Sequence, residues 1–254
     1  MIINESLSEG NTFIHRLDPR IKILAAFLFS VVISVSSRVF PLFFALTVAF
    51  ALLISARLPV KIILQRLLFA NLFIFLLWVF IPFTMEGEPL AHLGPLNISK
   101  QGLIYCFLLS VKSNAIIIIL ISLTATMPVF TMGRAMSSFG VPTKIVNLFI
   151  FSYRYIHAIL LEHKRLKEAM EIRGFRPKTN IHTYRSYAYL IGMLIVKSHD
   201  RAERVHSAMI CRGFQGKFFD LSEFSLKRTD FIFISIFIIC LMAIAFTQWP
   251  ILIF

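Results

Sequence analysis

Acidic residues are scarce in this chain: 13 Asp and Glu stand against 26 Lys and Arg, for a formal net charge of +13 at pH 7. The carboxylates that are present, such as Glu162, Glu168, Glu171, Asp200 and Glu203, are interspersed with Lys and Arg at helical pair spacing, as on a solvated helix face. No D-D-x-x-D-like cluster occurs, which leaves an intramembrane enzyme acting on an anionic lipid without its acid, base or metal-binding carboxylates. Cysteine is equally sparse. Cys106, Cys211 and Cys240 stand singly, with no C-x-x-C spacing, which argues against a disulfide framework or a Cys-based zinc site. The seven histidines form neither H-x-x-x-H nor H-E-x-x-H, and His199 and His206 have Arg201 and Arg204 between them, which repel a cation. The lone His15 reads as an interfacial residue. No metal site, catalytic residue or cofactor is expected in this chain. The phosphate-cradling pattern G-x-x-x-x-G-K-[ST] is absent, which excludes ATP hydrolysis by that route.

What the chain has in abundance is apolar surface. Hydrophobic residues make up 57% of the 254, 27 of them Phe, and the mean hydropathy is +0.79, far above an ordinary soluble domain. Such a chain belongs in a bilayer. A membrane-spanning helix needs about 20 mostly apolar residues, and five runs meet or approach this, at 21–37, 40–56, 67–83, 102–127 and 231–254. The first two are separated only by "SRVFP", a tight turn that makes them a helical hairpin. The first twenty residues carry Glu5, Glu9 and Asp18 and no long apolar core, so a cleaved signal peptide is not expected and the N-terminus is read as mature. The predicted class is an all-α integral membrane protein of about five spans. It divides into membrane helices at 1–127, a polar segment at 128–230 and a last span at 231–254.

The basic residues have a position as well as a sum. Lys and Arg concentrate in cytoplasmic loops near membrane ends. An N-terminus inside the cell puts Arg16, Arg20 and Lys22 beside the first helix on that side. It also puts Arg57, Lys61 and Arg66 in the next inner loop and the whole of 128–230 in the cytoplasm. The outer loops then hold only Arg38 in one and Glu86, Glu88 and Lys100 in the other. Segment 128–230 alone carries seventeen Lys or Arg against eight Asp or Glu, nine of the surplus of thirteen. Topology thus accounts for the basic character, and with no recognised nucleic-acid-binding motif present, no nucleic-acid partner is expected.

Inside that segment, 143–172 and 184–211 carry a 3.6-residue apolar stripe, clearest in Tyr187, Ile191, Leu194, Ser198, Ala202, Val205 and Met209. Both are apolar where they start and charged where they end. The apolar starts, under about 15 residues, are too short to span. Each helix ends in one signature, "EAMEIRGF" at 168–175 and "SAMICRGF" at 207–214, with Arg173 and Arg212 separated by 39 residues. One reading is capping: Gly174 and Gly213 supply a left-handed residue after the last turn, with Arg173 and Arg212 at the negative helix end and Pro177 preventing resumption. The other is docking. Small Ala169 and Ala208 and flexible Met170 and Met209 pack into a groove, Arg173 and Arg212 reach acidic residues, and Gly174 and Gly213 turn the chain back. Two like plugs call for a partner with two like sockets, as a dimeric ATPase would supply.

Three stretches, "HRLDPRIKI" at 15–23, "GVPTKIVNLFIFSYRY" at 140–155 and "YRSYAYLIGMLIVKSHDRAERVHSAMICRGFQGKF" at 184–218, carry a likeness that covers nearly the whole chain. The chain resembles the transmembrane coupling (T) component of energy-coupling factor (ECF) importers, and within them the CbiQ-type cobalt and nickel transport protein. The likeness implies that the Arg-Gly helix ends insert into two ATP-binding subunits and that the chain holds a separate substrate-binding membrane component. It implies a bacterial-type inner-membrane location, and cobalt or nickel as cargo, with vitamin-type importers as the related alternative. The family motif is generally written Ala-Arg-Gly. Here the residue before Arg is Ile172 or Cys211.

Three further features carry expectations. Asp18 is placed to N-cap the first membrane helix, with Pro19 in its first turn. Lys112, inside the fourth run, either snorkels outward or contacts the substrate-binding partner. "TMGRAMSSFGVP" at 131–142 reads as a short amphipathic interface helix ended by Gly140 and Pro142. "NIS" at Asn97 matches a glycosylation acceptor that a bacterial-type protein leaves unmodified.

Overall fold

The computed structural model describes residues 10, 12–85, 89–93, 96–216 and 227–248. Among these are eight α-helices and one two-stranded hairpin, divided between two compact units. The first takes the described residues up to Met132 together with those from Lys227 onward, and the second takes those from Gly133 to Gly216.

The first unit opens with α1, Pro19–Val35, whose start is set as the sequence predicts. The Asp18 carboxylate accepts from the Arg20 amide at 2.9 Å, and Pro19 occupies the first helical position. α2 is Val39–Ala56 and returns alongside, so that the Thr12 hydroxyl donates to the Ala56 carbonyl at 3.4 Å. Arg57 ends it in the left-handed region at φ 48°. α3 is Val60–Thr84 and α4 is Lys100–Thr124, joined through β1 (Pro89–Leu93) and β2 (Leu96–Ser99), which pair antiparallel with Leu93 opposite Leu96. The Ser99 hydroxyl caps α4 by accepting from the Gly102 amide at 3.2 Å. α5, Val129–Ser138, carries the chain onward. The helix that closes the unit, Arg228–Gln248, is α8.

α4 is the centre of this unit, touching α1, α2 and α3, while α8 packs on α1 and α2. Close approach rests on small residues, since Ala25, Ala26, Ala45, Ala49 and Ala115 are all buried, and Phe29, Ile33, Leu42, Ile118, Ile119 and Ile244 fill the space around them. At the α3–α4 contact a Cβ on Gly102 would lie 2.9 Å from Pro82 Cα, which is why no side chain is accommodated there. Farther along the same contact the Asn71 and Asn114 amides each donate to the other at 3.0 Å. Between these two contacts the Trp78 indole donates to Ser110 at 2.9 Å. Two cations close helix ends: Lys112 donates to the Ser34 carbonyl in the last turn of α1 at 3.2 Å, and Arg38 to the Thr247 carbonyl of α8 at 3.5 Å.

The second unit is dominated by α6, Thr143–Ile172, and α7, Ile181–Cys211. α6 has the predicted bounds. α7 starts three residues before the predicted 184, because Asn180 is extended and the hydroxyl of Thr183 in the first turn accepts from the Lys178 amide at 3.1 Å.

The all-α membrane class holds, with differences in detail. Among the described residues five helices are long and apolar enough to cross a membrane, but they are α2, α3, α4, α6 and α8. α1, with 17 residues, is shorter than these, and α6, expected to have too short an apolar start, joins the five. α3 begins at Val60 rather than 67, which places Lys61 and Arg66 within its first two turns instead of in a loop. The strand hairpin has no expectation behind it, because strands of five and four residues are too short for alternation to tell them from a loop. The short helix of 131–142 is present as α5, and Gly140 follows it at φ +80°. Glu86, Glu88, the end of the last predicted span and the final two residues of the 184–218 stretch lie outside the described residues.

The paired Arg-Gly helix ends

Both copies of the signature build the same backbone. At the end of α6 the Phe175 amide donates to the Met170 carbonyl at 3.1 Å and the Gly174 amide to Glu171 at 3.0 Å. At the end of α7 the Phe214 amide donates to Met209 at 3.0 Å and the Gly213 amide to Ile210 at 2.9 Å. Nested bonds of this pattern, with the glycines at φ +81° and +78°, are Schellman closures. The closure explains two more letters of the repeat. Met and Phe occupy the third-from-last helical position and the second position past the cap, which commonly make the hydrophobic contact of this motif. All four are half-buried. Met170 and Phe175 line one small cavity with Pro177 and Tyr187, and the Phe175 ring meets Tyr187 edge-on at 5.8 Å.

What closure leaves unexplained points outward. Ala169, Ile172 and Arg173 are exposed at spacings of three and four, one helix face, and Ala208, Cys211 and Arg212 repeat that arrangement. Ile172 is 87% exposed, an unusual setting for a large aliphatic residue at a helix end. The motif reading placed the methionines in the docking set and gave Ile172 and Cys211 only as a departure from pattern. Burial adds Ile172 and Cys211 to the outward face and turns the methionines toward the chain's own fold. For the methionines spacing already contained that signal, because the residue four before a left-handed closing glycine belongs to the closure.

The two ends stand apart. Asn147 donates to the Gly216 carbonyl at 3.3 Å, Lys197 donates to the Glu162 carboxylate, and Phe175 reaches Tyr187, so α7 runs antiparallel to α6 along its length. Roughly 25 residues of α6 lie between the level of Gly213 and Gly174, which at about 1.5 Å per residue separates the ends by up to about 37 Å. Between the helices an apolar groove of about 340 Å³ is lined by Phe151, Tyr155, Ile159, Ala202, Val205 and Met209, with Arg201 at its wall. α6 carries the expected pairs at helical spacing, Lys164–Glu168 at 3.7 Å and Lys167–Glu171 at 3.8 Å. The interhelical Glu162–Lys197 pair was not visible in the sequence, since it joins residues 35 apart.

The other named residues separate from this site. Lys112 lies in the first unit, half-buried against the end of α1. Among the described residues no group of three or more His, Cys, Asp or Glu is placed to hold a metal ion. The CbiQ family, described as cobalt transport protein, matches residues 10–221.

The chain belongs to the CbiQ family. Its relatives include the energy-coupling factor transporter transmembrane protein EcfT of Bacillus selenitireducens, 28% identical over 218 residues that cover 82% of this chain and 81% of the relative. EcfT of Streptococcus equi subsp. equi is 28% identical over 224 residues, with 82% and 81% covered. EcfT of Bacillus subtilis is 27% identical over 222 residues, with 82% of each covered. This CbiQ-family chain is a multi-pass membrane protein and the transmembrane component of an ECF-type transporter, not an enzyme.

Proposed function

We propose that the chain transmits ATP-driven motion from two ATP-binding subunits to a separate substrate-binding membrane protein. The observation that carries this is the pair of matching helix ends, each presenting Ala, an apolar or thiol residue and Arg outward, at opposite ends of one antiparallel helix pair. Two-fold-related ATPase subunits offer two equivalent sockets, and a rigid antiparallel pair is a suitable bar between them. Arg173 and Arg212 are the ionic anchors of docking. Ala169, Met170, Gly174, Ala208, Met209 and Gly213 shape the plugs. Lys112 is a contact for the substrate-binding partner on its exposed part. The N-terminus and 128–230 face the cytoplasm, in keeping with the Lys and Arg distribution.

The cargo we propose is cobalt or nickel ion, following the family description, with the ion's ligands supplied by the partner. A vitamin-type cargo is the second reading, because the EcfT relatives name no metal. An affinity pull-down from native membranes in mild detergent tests both levels, comparing wild type with Arg173→Glu and Arg212→Glu. An ATPase and a small metal-binding membrane protein are expected with the wild type, and the ATPase is expected to be lost on either reversal. Leaving a desolvated charge opposite its own sign costs about 2–5 kcal/mol, or 30-fold and more in affinity. Full retention of the ATPase by both variants would return the signature to helix closure alone.

A further inference from the structure

The "HRLDPRIKI" stretch contains a charge that helix capping does not use. Lys22 lies in the first turn of α1, yet it is only 1% exposed. Its ammonium has three protons and finds three acceptors: the Thr126 carbonyl at 3.3 Å, the Thr126 hydroxyl oxygen at 3.3 Å and the His15 carbonyl at 3.4 Å. Thr126, 2% exposed, is two residues past the end of α4, where the chain heads for α5 and the second unit. The counter-charge is Asp230, also 1% exposed and close enough to act on Lys22. Its carboxylate accepts from the Lys227 amide at 2.8 Å, closing the first turn of α8 where the chain has come back from the second unit, and from the Asp18 amide at 3.2 Å.

The start of α1 therefore holds both passages of the chain, the outgoing one through Lys22 and the returning one through Asp230. Two buried opposite charges are a weak source of stability, since apolar residues of equal size do as well, and fixing register is their best-attested use. We propose that Lys22 and Asp230 are positioning residues for coupling, clamping the outgoing and returning passages so that displacement of the second unit moves α1, α4 and α8 as one body. This rests on the coupling reading above.

The test has two arms and uses the full chain. Hydrogen exchange in detergent compares wild type with Lys22→Met, Lys22→Arg and the doubly uncharged Lys22→Met/Asp230→Asn. Lys22→Met is expected to speed exchange about tenfold at both 124–128 and 227–231 while α2 and α3 keep wild-type protection, with Lys22→Arg close to wild type. Loosening at one passage alone, loosening throughout the membrane helices, or an Arg variant as fast as Met would overturn the clamp. The double variant is expected to recover part of the protection lost in Lys22→Met, because no lone carboxylate stays buried; exchange faster than in the single variant would also count against the pair. The second arm measures Co²⁺ moved per ATP hydrolysed by the purified complex. Lys22→Met is expected to lower that ratio about fivefold or more with ATPase capture and hydrolysis unchanged, and a ratio within about twofold of wild type would refute the coupling role. A wild type that captured no ATPase would sink the coupling reading itself, while the exchange arm would still decide the clamp.

Discussion

Asn147, in the second turn of α6, donates its side-chain amide to the carbonyl of Gly216, three residues past the left-handed Gly213 that closes α7, at 3.3 Å. The end of one helix is thereby held at the beginning of the other. The duplicated signature then sits at two distant points of a single bar rather than side by side, an arrangement suited to engaging two separate sockets.

The closures depend on glycine for conformation and not for space. A Cβ on Gly174 or Gly213 would meet nothing within 4 Å, yet both residues have positive φ. Gly174→Ala and Gly213→Ala are each expected to cost about 1–2 kcal/mol, and Asn in their place less, because its side chain tolerates this region. Thermal unfolding in detergent measures the order Gly, Asn, Ala. Equal midpoints for all three would mean that the glycines serve something other than closure.

Ile172 and Cys211 separate docking from folding. Both are exposed, so Ile172→Asp and Cys211→Asp are expected to change the chain's own stability by no more than about 0.5 kcal/mol. In a desolvated socket the same carboxylates are unpaired, and ATPase capture in the pull-down is expected to fall about tenfold or more. Capture at the wild-type level would place the socket contact on other residues.

Gly102 faces a different limit. Its added Cβ would sit 2.9 Å from backbone Cα of Pro82 and 3.3 Å from the Ile81 carbonyl, groups with little freedom to yield. Gly102→Ala is expected to destabilise the first unit by about 1–3 kcal/mol, as overpacking does, and Gly102→Val by more. Detergent melting midpoints decide it, and an unshifted Ala variant would show that α3 and α4 separate without cost.

Asn71 and Asn114 satisfy each other inside the apolar layer. Either single change to Leu leaves the other amide only the backbone bond within its own helix, Asn71 to Leu67 or Asn114 to Ser110, and is expected to cost about 0.6–2 kcal/mol. The double change to Leu is expected to recover part of that, giving a measurable coupling energy in a double-mutant cycle of unfolding. Strict additivity would show that the amide pair contributes nothing as a pair.

Much of this protein was legible from order along the chain. Hydrophobic runs of near-spanning length, a basic segment between them, a proline after an aspartate and a glycine after an arginine are local patterns, and membrane class, α6, the Asp18 cap and both left-handed glycines follow from them because their causes lie within one or two helical turns. The assignment of α1 and α6 among the spanning candidates was less legible, since α1 falls just short in length at 17 residues while the 30-residue α6 joins an apolar start to a charged end. Lys22 was read as a flanking cation because nothing nearby in sequence distinguishes it from Arg20.

The sequence by itself determined the bilayer as solvent, the Asp18 cap of α1 and the duplicated closure, all set by composition and short-range hydrogen bonding. Only the tertiary structure decided that Ile172 and Cys211 face outward, that the two ends lie at opposite extremes of an antiparallel pair, and that Lys22 is buried against Thr126 and acted on by Asp230. Those facts depend on which surfaces meet across tens to hundreds of residues, and burial and ion pairing are properties of that meeting rather than of any segment alone.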